Sequence, residues 1–232
     1  MDFTLHEPYT KVVRLNKYIA HYTSLSRRAA DTAIVDGRVE INGIAAKLGD
    51  VVIESDTVTL DRRAITPDVK RVTLILNKPV GYVCSTQGQG SKTVYDLLPP
   101  ELQHLNSVGR LDKDSSGLLL MSNDGELANK LTHPRYEKQK KYVITLDTPL
   151  EPLHHQMITD YGIKLADGPS KLGLVSQNKS RKKWEVTMTE GRNRQIRRTF
   201  AALGYSVEAL HRTQFGPYCL DALQQGSYKE IS

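Results

Sequence analysis

Apolar and polar positions divide the chain into two patterned stretches joined by an unpatterned one. Residues 1–11 show no period and read as a flexible leader. In VRLNKYIAHY, which begins at Val13, Leu15, Tyr18 and Ile19 recur at helical spacing, with Arg14 and Lys17 off that stripe. SLSRRAADTAIVDG follows, with Ser26 as N-cap, an apolar face of Ala29, Ala30, Ala33 and Ile34, and Gly37 as the stop. Asn42-Gly43 between short β-prone runs predicts a hairpin, and DTVTLD alternates to residue 61. Residues 12–61 therefore read as a small domain of two helices and a small sheet. DRRAITPDVKR is polar, carries a proline and lacks a period, so residues 62–71 read as a linker.

Residues 72–232 read as a larger domain. VTLILNK, LLLMS, YVITLD, WEVTMTE and YSVEAL are strand-like, while GELANKLTH and RQIRRTFAAL have helical patterns. Asn123 or Asp124 caps the first of these helices. For the second, Asn193 is the expected cap and Gly204 the stop, with Ile196, Phe200 and Leu203 as the buried stripe. Such alternation predicts an α+β fold with a mainly antiparallel sheet.

Composition narrows the class. At 39% hydrophobic and 25% charged residues, the 232-residue chain matches a soluble globular protein able to build a core without disulfides. Its formal net charge of +6 leans toward an anionic partner such as nucleic acid. Cys84 and Cys219 form no CxxC pair, and the histidines show no metal spacing, so no metal or redox cofactor is expected. The adjacent His154 and His155 read as surface residues. No signal-peptide core or membrane-length apolar run is present, so a cytoplasmic protein without membrane association is expected, monomeric by default.

Three stretches carry candidate chemistry. GRLDKDSSGLLL, residues 109–120, is a loop running into an apolar strand. It holds either a catalytic carboxylate at Asp112 or Asp114, or only turn chemistry, since Asp, Ser and Gly are standard turn residues. TEGRNRQIRRTFAALGY presents Arg194, Arg197 and Arg198 on or beside a helix, downstream of the basic run NKSRKKW. Glu185 and Glu190 are the only acids between residues 178 and 198, so a polyanion-binding face competes with a merely solvated one. In EKQKKYVITLD, Tyr142 either packs on a sheet or offers a flat face to a nucleotide base. Arg14, Lys17, Arg27 and Arg28 pose the same choice in the small domain. Two arginines in a helix's first turn oppose its dipole, which makes sense if a phosphate docks there.

NKPVGYVCST at 77–86, GRLDKDSSGLLL at 109–120, KKY at 140–142 and EGRNRQIRR at 190–198 together resemble the pseudouridine synthases. The likeness is to the branch of RsuA-type and related large-subunit ribosomal RNA enzymes. Residues 12–60 also look like the small RNA-binding module first described in a ribosomal small-subunit protein, which that branch carries. The resemblance implies that Asp112 is the catalytic carboxylate. It implies that Arg110 enters the RNA to help extrude the target uridine, that Tyr142 stacks on the base and that Arg197 pairs with Asp112. Asp114 falls at a variable position and inherits no role. Arg14, Lys17, Arg27, Arg28, Arg194 and Arg198 become RNA-binding candidates.

The implied reaction isomerises uridine to pseudouridine in ribosomal RNA, with large-subunit RNA favoured over small-subunit or transfer RNA. The implied partner is that RNA or a pre-ribosomal particle. Reaching a stacked base requires flipping it out. Asp112 then acts as nucleophile or base, a choice the residues leave open. Two other classes compete. One is a non-catalytic RNA-binding assembly factor. The other is a glycoside or nucleoside hydrolase, whose second carboxylate would have to be Asp114.

Overall fold

The computed structural model describes residues 12–23, 25–66 and 70–231; the expected leader at 1–11 lies outside the described residues. The chain divides into two compact units between Arg71 and Val72.

In the first unit, β1 (Val13–Arg14) leads directly into α1 (Leu15–Tyr22), and α2 (Arg27–Val35) follows. The Ser26 hydroxyl caps α2 by accepting from the Ala29 amide. Next come β2 (Val39–Ile41), β3 (Ile44–Ala45), β4 (Val51–Val52), β5 (Val58–Leu60) and β6 (Arg63–Ala64). The sheet order is β3-β2-β5-β6, while β4 pairs with β1. Asn42 (φ 52°) and Gly43 (φ 80°) supply the two left-handed residues that a tight hairpin turn between β2 and β3 demands. Leu15, Ile19, Ala30, Ala33, Ile34 and Val39 fill the small core, so the predicted stripes of both helices face inward. The segment expected as a linker begins later than its polarity suggested. Arg63 and Ala64 pair with Leu60 and Thr59, because a strand edge satisfies backbone groups whatever the side chains.

The second unit begins with β7 (Thr73–Lys78), β8 (Asn106–Val108), β9 (Ser116–Ser122), α3 (Gly125–Thr132) and β10 (Lys140–Leu146). A short α4 (Pro152–Gln156) runs into a π-helical turn at Met157–Tyr161. Then come β11 (Ile163–Leu165), β12 (Gly168–Ser170), β13 (Gly173–Ser176), β14 (Lys183–Met188) and α5 (Gln195–Ala201). The chain ends with β15 (Val207–Phe215), β16 (Tyr218–Cys219) and β17 (Tyr228–Ile231). Among the described residues, nine strands form one sheet in the order β13-β14-β10-β15-β9-β7-β17, with β16 on β15 and β8 on β9. The fold is α+β, and every pairing in that sheet is antiparallel except β15 with β9.

Strand β9 explains its own sequence. All seven residues are buried, so the run SGLLLMS does not alternate. Leu119 and Met121 join the core that also takes Ile196 and Phe200 of α5, while Leu118 and Leu120 join a second core under Leu131 of α3. The parallel contact of β9 with β15 sets Gly117 against Arg212. A β-carbon on Gly117 (φ +104°) would meet the Arg212 carbonyl oxygen at 2.3 Å and its amide nitrogen at 2.6 Å. Only glycine permits this approach.

Two local expectations are corrected. Asn193 does not cap α5; Arg194 holds that position in the left-handed region (φ 46°, ψ 32°), with no side-chain cap. His154 and His155 are half-buried rather than surface residues. His154 Nδ1 lies 2.7 Å from the Tyr205 hydroxyl, and the His155 ring packs 5.2 Å from that of Trp184.

Gly117→Ala is expected to cost more than the roughly 1 kcal/mol of left-handed strain alone, because rigid backbone stands in the way. Gly204→Ala, at φ +84° with no atom near the added carbon, should cost that strain only. Urea midpoints of the two variants check the difference.

Candidate active site

The loop from Gly109 to Ser115 joins β8 to β9 and is gripped by the last residue of β7 and the turn after it. Lys78 is fully buried. Its Nζ donates to the carbonyls of Pro79 (3.0 Å), Asp112 (3.0 Å) and Ser115 (2.6 Å), so all three ammonium protons are used. Burial pulls the Lys78 pKa down, and the charges of Cys84, Asp114 and Asp112 oppose that. Hydrogen bonds from a charged donor are worth about 1.5–3 kcal/mol each, so three together offset a desolvation cost of several kcal/mol. The Gly81 amide donates to the Lys113 carbonyl (2.8 Å), and the Leu111 amide reaches Cys84 Sγ at 3.4 Å. Ser115 N–H closes the turn on the Asp112 carbonyl at 3.1 Å.

This grip leaves the Asp112 carboxylate half-buried on a cleft of about 1180 Å³ within the second unit. Arg110, Tyr142, Arg194, Arg197 and Arg212 also line it. The Tyr142 ring is buried in the sheet with its residue only 7% exposed, so it can offer an edge or part of a face, not a free-standing platform. Arg110 is exposed and makes no hydrogen bond or ion pair among the described residues.

The arginines of EGRNRQIRR do not sit as the sequence suggested. Arg194, not Arg197, is the cation nearest Asp112, with Nη1 3.6 Å from Oδ2. Arg194 also grips Asp114 with two parallel bonds, Nη1 to Oδ1 at 3.0 Å and Nη2 to Oδ2 at 2.9 Å. Arg197 turns to Asp114 as well: Nε is 3.3 Å from Oδ2, and Nη2 donates to the Asp114 carbonyl at 2.9 Å. The expected Arg197–Asp112 pair is therefore replaced by a pair with Asp114. Arg197 is tied through Nη1 to the Val207 carbonyl, and its Nε and Nη2 face Asp114.

Asp114, read in the sequence as a turn residue, is the hub of this network. The Arg194 hydrogen bond lowers its carboxyl pKa from the ordinary carboxylate value; burial opposes, and the Arg197 and Arg194 charges assist. Arg198 is likewise paired, through two bonds of 3.0 and 2.7 Å to Asp167 in the β11–β12 turn. Arg192 bridges Asp167 and Glu190. Arg194 and Arg198 thus each have a carboxylate partner within the protein. The acid that the local sequence lacked comes from Asp167, more than twenty positions upstream.

Residues 72–202 match the family described as RNA pseudouridylate synthase. The chain belongs to the RNA pseudouridine synthases. Over 94% of its length it is 38% identical to a ribosomal large subunit pseudouridine synthase B of Bacillus subtilis, covering 92% of that protein. It is 34% identical to a ribosomal small subunit pseudouridine synthase A of Haemophilus influenzae, covering 95% of this chain and 96% of that one. A solved pseudouridylate synthase superposes with a TM-score of 0.68 at 32% identity, covering 95% and 96% of the two chains.

Within a synthase, the contacts of Asp114 also answer the hydrolase reading. A proton donor must hold a proton at neutral pH, and a carboxyl clamped by two guanidiniums is kept ionised. Nothing in NKPVG signals that Lys78 is buried, since a lone lysine in a polar turn ordinarily faces water. In the first unit, Arg27 and Arg28 are exposed at the start of α2, and no described side chain pairs with them. Arg14, Lys17 and Arg27 border one hollow, in which Arg14 Nη1 donates to the Gly49 carbonyl at 3.3 Å.

A carboxyl with a depressed pKa contributes stability that is present above its ordinary value and lost as pH falls through the folded one. For Asp114 that loss sets in below about 3.8. Urea midpoints measured down the acid range should therefore fall more steeply for the parent than for Asp114→Asn. Parallel curves would show that the arginine clamp adds nothing to stability.

Proposed function

We propose that this synthase isomerises a uridine of ribosomal RNA, in the large subunit, with Asp112 as the catalytic carboxylate. The observation that carries the assignment is the three-carbonyl grip of Lys78, which presents Asp112 to the cleft while Asp114 is fully engaged. A flipped uridine enters the cleft with its sugar toward Asp112. The bond from N1 to the sugar carbon breaks, the uracil turns, and C5 joins the same carbon; C5 gives up a proton and N1 gains one. Asp112 serves this exchange at the sugar as nucleophile or as base. Tyr142 lends its aromatic edge to the base, and the unpaired Arg110 enters the space the uridine leaves.

The large-subunit reading rests on the likeness to the Bacillus synthase named for that subunit. The likeness to the Haemophilus enzyme named for the small subunit keeps that RNA as the second reading. Asp112→Ala and Asp112→Asn should abolish pseudouridine formation and leave RNA binding intact. Carbodiimide treatment and primer extension across both ribosomal RNAs, from cells with and without the protein, checks target and activity together. Full activity of purified Asp112→Ala would overturn the assignment.

The first unit adds phosphate contacts through Arg14, Lys17, Arg27 and Arg28. Support comes from the exposed, unpaired Arg27 and Arg28, which only an external anion would neutralise. Replacing both by Gln should weaken RNA binding for every sequence tested. The slope of log affinity against log salt should flatten by about 0.7–0.9 per arginine lost. An unchanged slope in a filter-binding titration would remove them from the interface.

A further inference from the structure

The geometry points to Asp114 as a positioning residue that holds the Arg194 guanidinium beside Asp112 but off it. The inference rests on Asp112 being the reacting carboxylate. Arg194 Nη1 stands 3.0 Å from Asp114 Oδ1 and 3.6 Å from Asp112 Oδ2. The first is a hydrogen bond; the second is only an ion pair. Both carboxylates attract the same cation, and two parallel hydrogen bonds decide the contest for Asp114.

Asp114 is well placed to win. Its backbone carbonyl accepts from Arg197 Nη2, and Arg197 is anchored in turn through Nη1 to the Val207 carbonyl at the start of β15. The turn is tied from its other side by Lys78 through the Asp112 and Ser115 carbonyls. The left-handed backbone of Arg194 is strained for a residue with a β-carbon, and such strain persists only where surrounding contacts enforce it. The paired forks of Arg194 and Asp114 are the contact that does so. With this arrangement Asp112 keeps its oxygens available for the sugar. Without the Asp114 charge, Asp112 becomes the nearest anion to Arg194, and the guanidinium closes on the carboxylate that must react.

The test uses the full chain and an RNA fragment carrying the target uridine. Single-turnover rate and RNA affinity are measured separately for Asp114→Asn, Arg194→Gln, the double variant, Asp114→Glu and Asp112→Asn. Asp114→Asn should slow the reaction about tenfold to a hundredfold without weakening RNA binding. The double variant should be no slower than the slower single one, because the two residues act as a unit. Asp114→Glu, which keeps the charge, should regain most of the rate. Losses that multiply in the double variant, or a parental rate for Asp114→Asn, overturn the inference. If Asp114→Asn fails to fold, Asp114→Glu carries the test: a folded Asp114→Glu that binds RNA but reacts no faster than Asp112→Asn overturns it. Activity in Asp112→Asn sinks the catalytic assignment instead, so the two failures are distinguishable.

Discussion

One buried ammonium group organises the catalytic half of this protein. Lys78 has lost all its water and gives its three protons to backbone carbonyls, two of them at the ends of the turn that carries Asp112. A buried charge tolerates little displacement, since any carbonyl that moves away leaves a desolvated proton unmet. The turn is therefore fixed by main-chain atoms, and the side chains at its apex point outward. This separates two demands that compete in an active site: the scaffold is rigid through its carbonyls, while the reacting carboxylate stays half-open to the cleft.

The sheet carries that constraint to the arginines. Gly117 lets β9 and β15 approach in parallel, which puts the strand after the Asp112 turn beside the strand after α5. The two ends of the chemistry, the carboxylate loop and the guanidinium helix, are thereby delivered by neighbouring strands far apart in sequence. The carboxylates of Asp114 and Asp167 then neutralise a helix that looked in isolation like a bare cationic surface.

Much of this was legible from residue order. The inward stripes of α1, α2 and α5, the Ser26 and Asp124 caps, the Asn42-Gly43 turn and the central apolar strand all express local rules, so short windows reveal them. What escaped depends on contacts between distant segments. The motif position of Arg197 implies Asp112 as its partner, but contacts with the distant Val207 carbonyl and with Asp114 hold it elsewhere. Asp114 falls at a variable position of the motif, and nothing nearby shows that two arginines some eighty positions away converge on it. The burial of Lys78 is imposed by the fold, not announced by its neighbours.

The placement of the Asp112 turn has a consequence for how the enzyme fails. It runs directly into β9, whose seven residues are all buried and whose two faces belong to different cores. Segments of that kind open last, and exchange their amide hydrogens only when a whole domain lets go. Catalytic geometry in this unit is thus not borrowed from a mobile loop that melts ahead of its surroundings. On warming, activity should persist nearly to the cooperative unfolding of the sheet and then vanish with it, leaving little range in which the protein is folded yet idle.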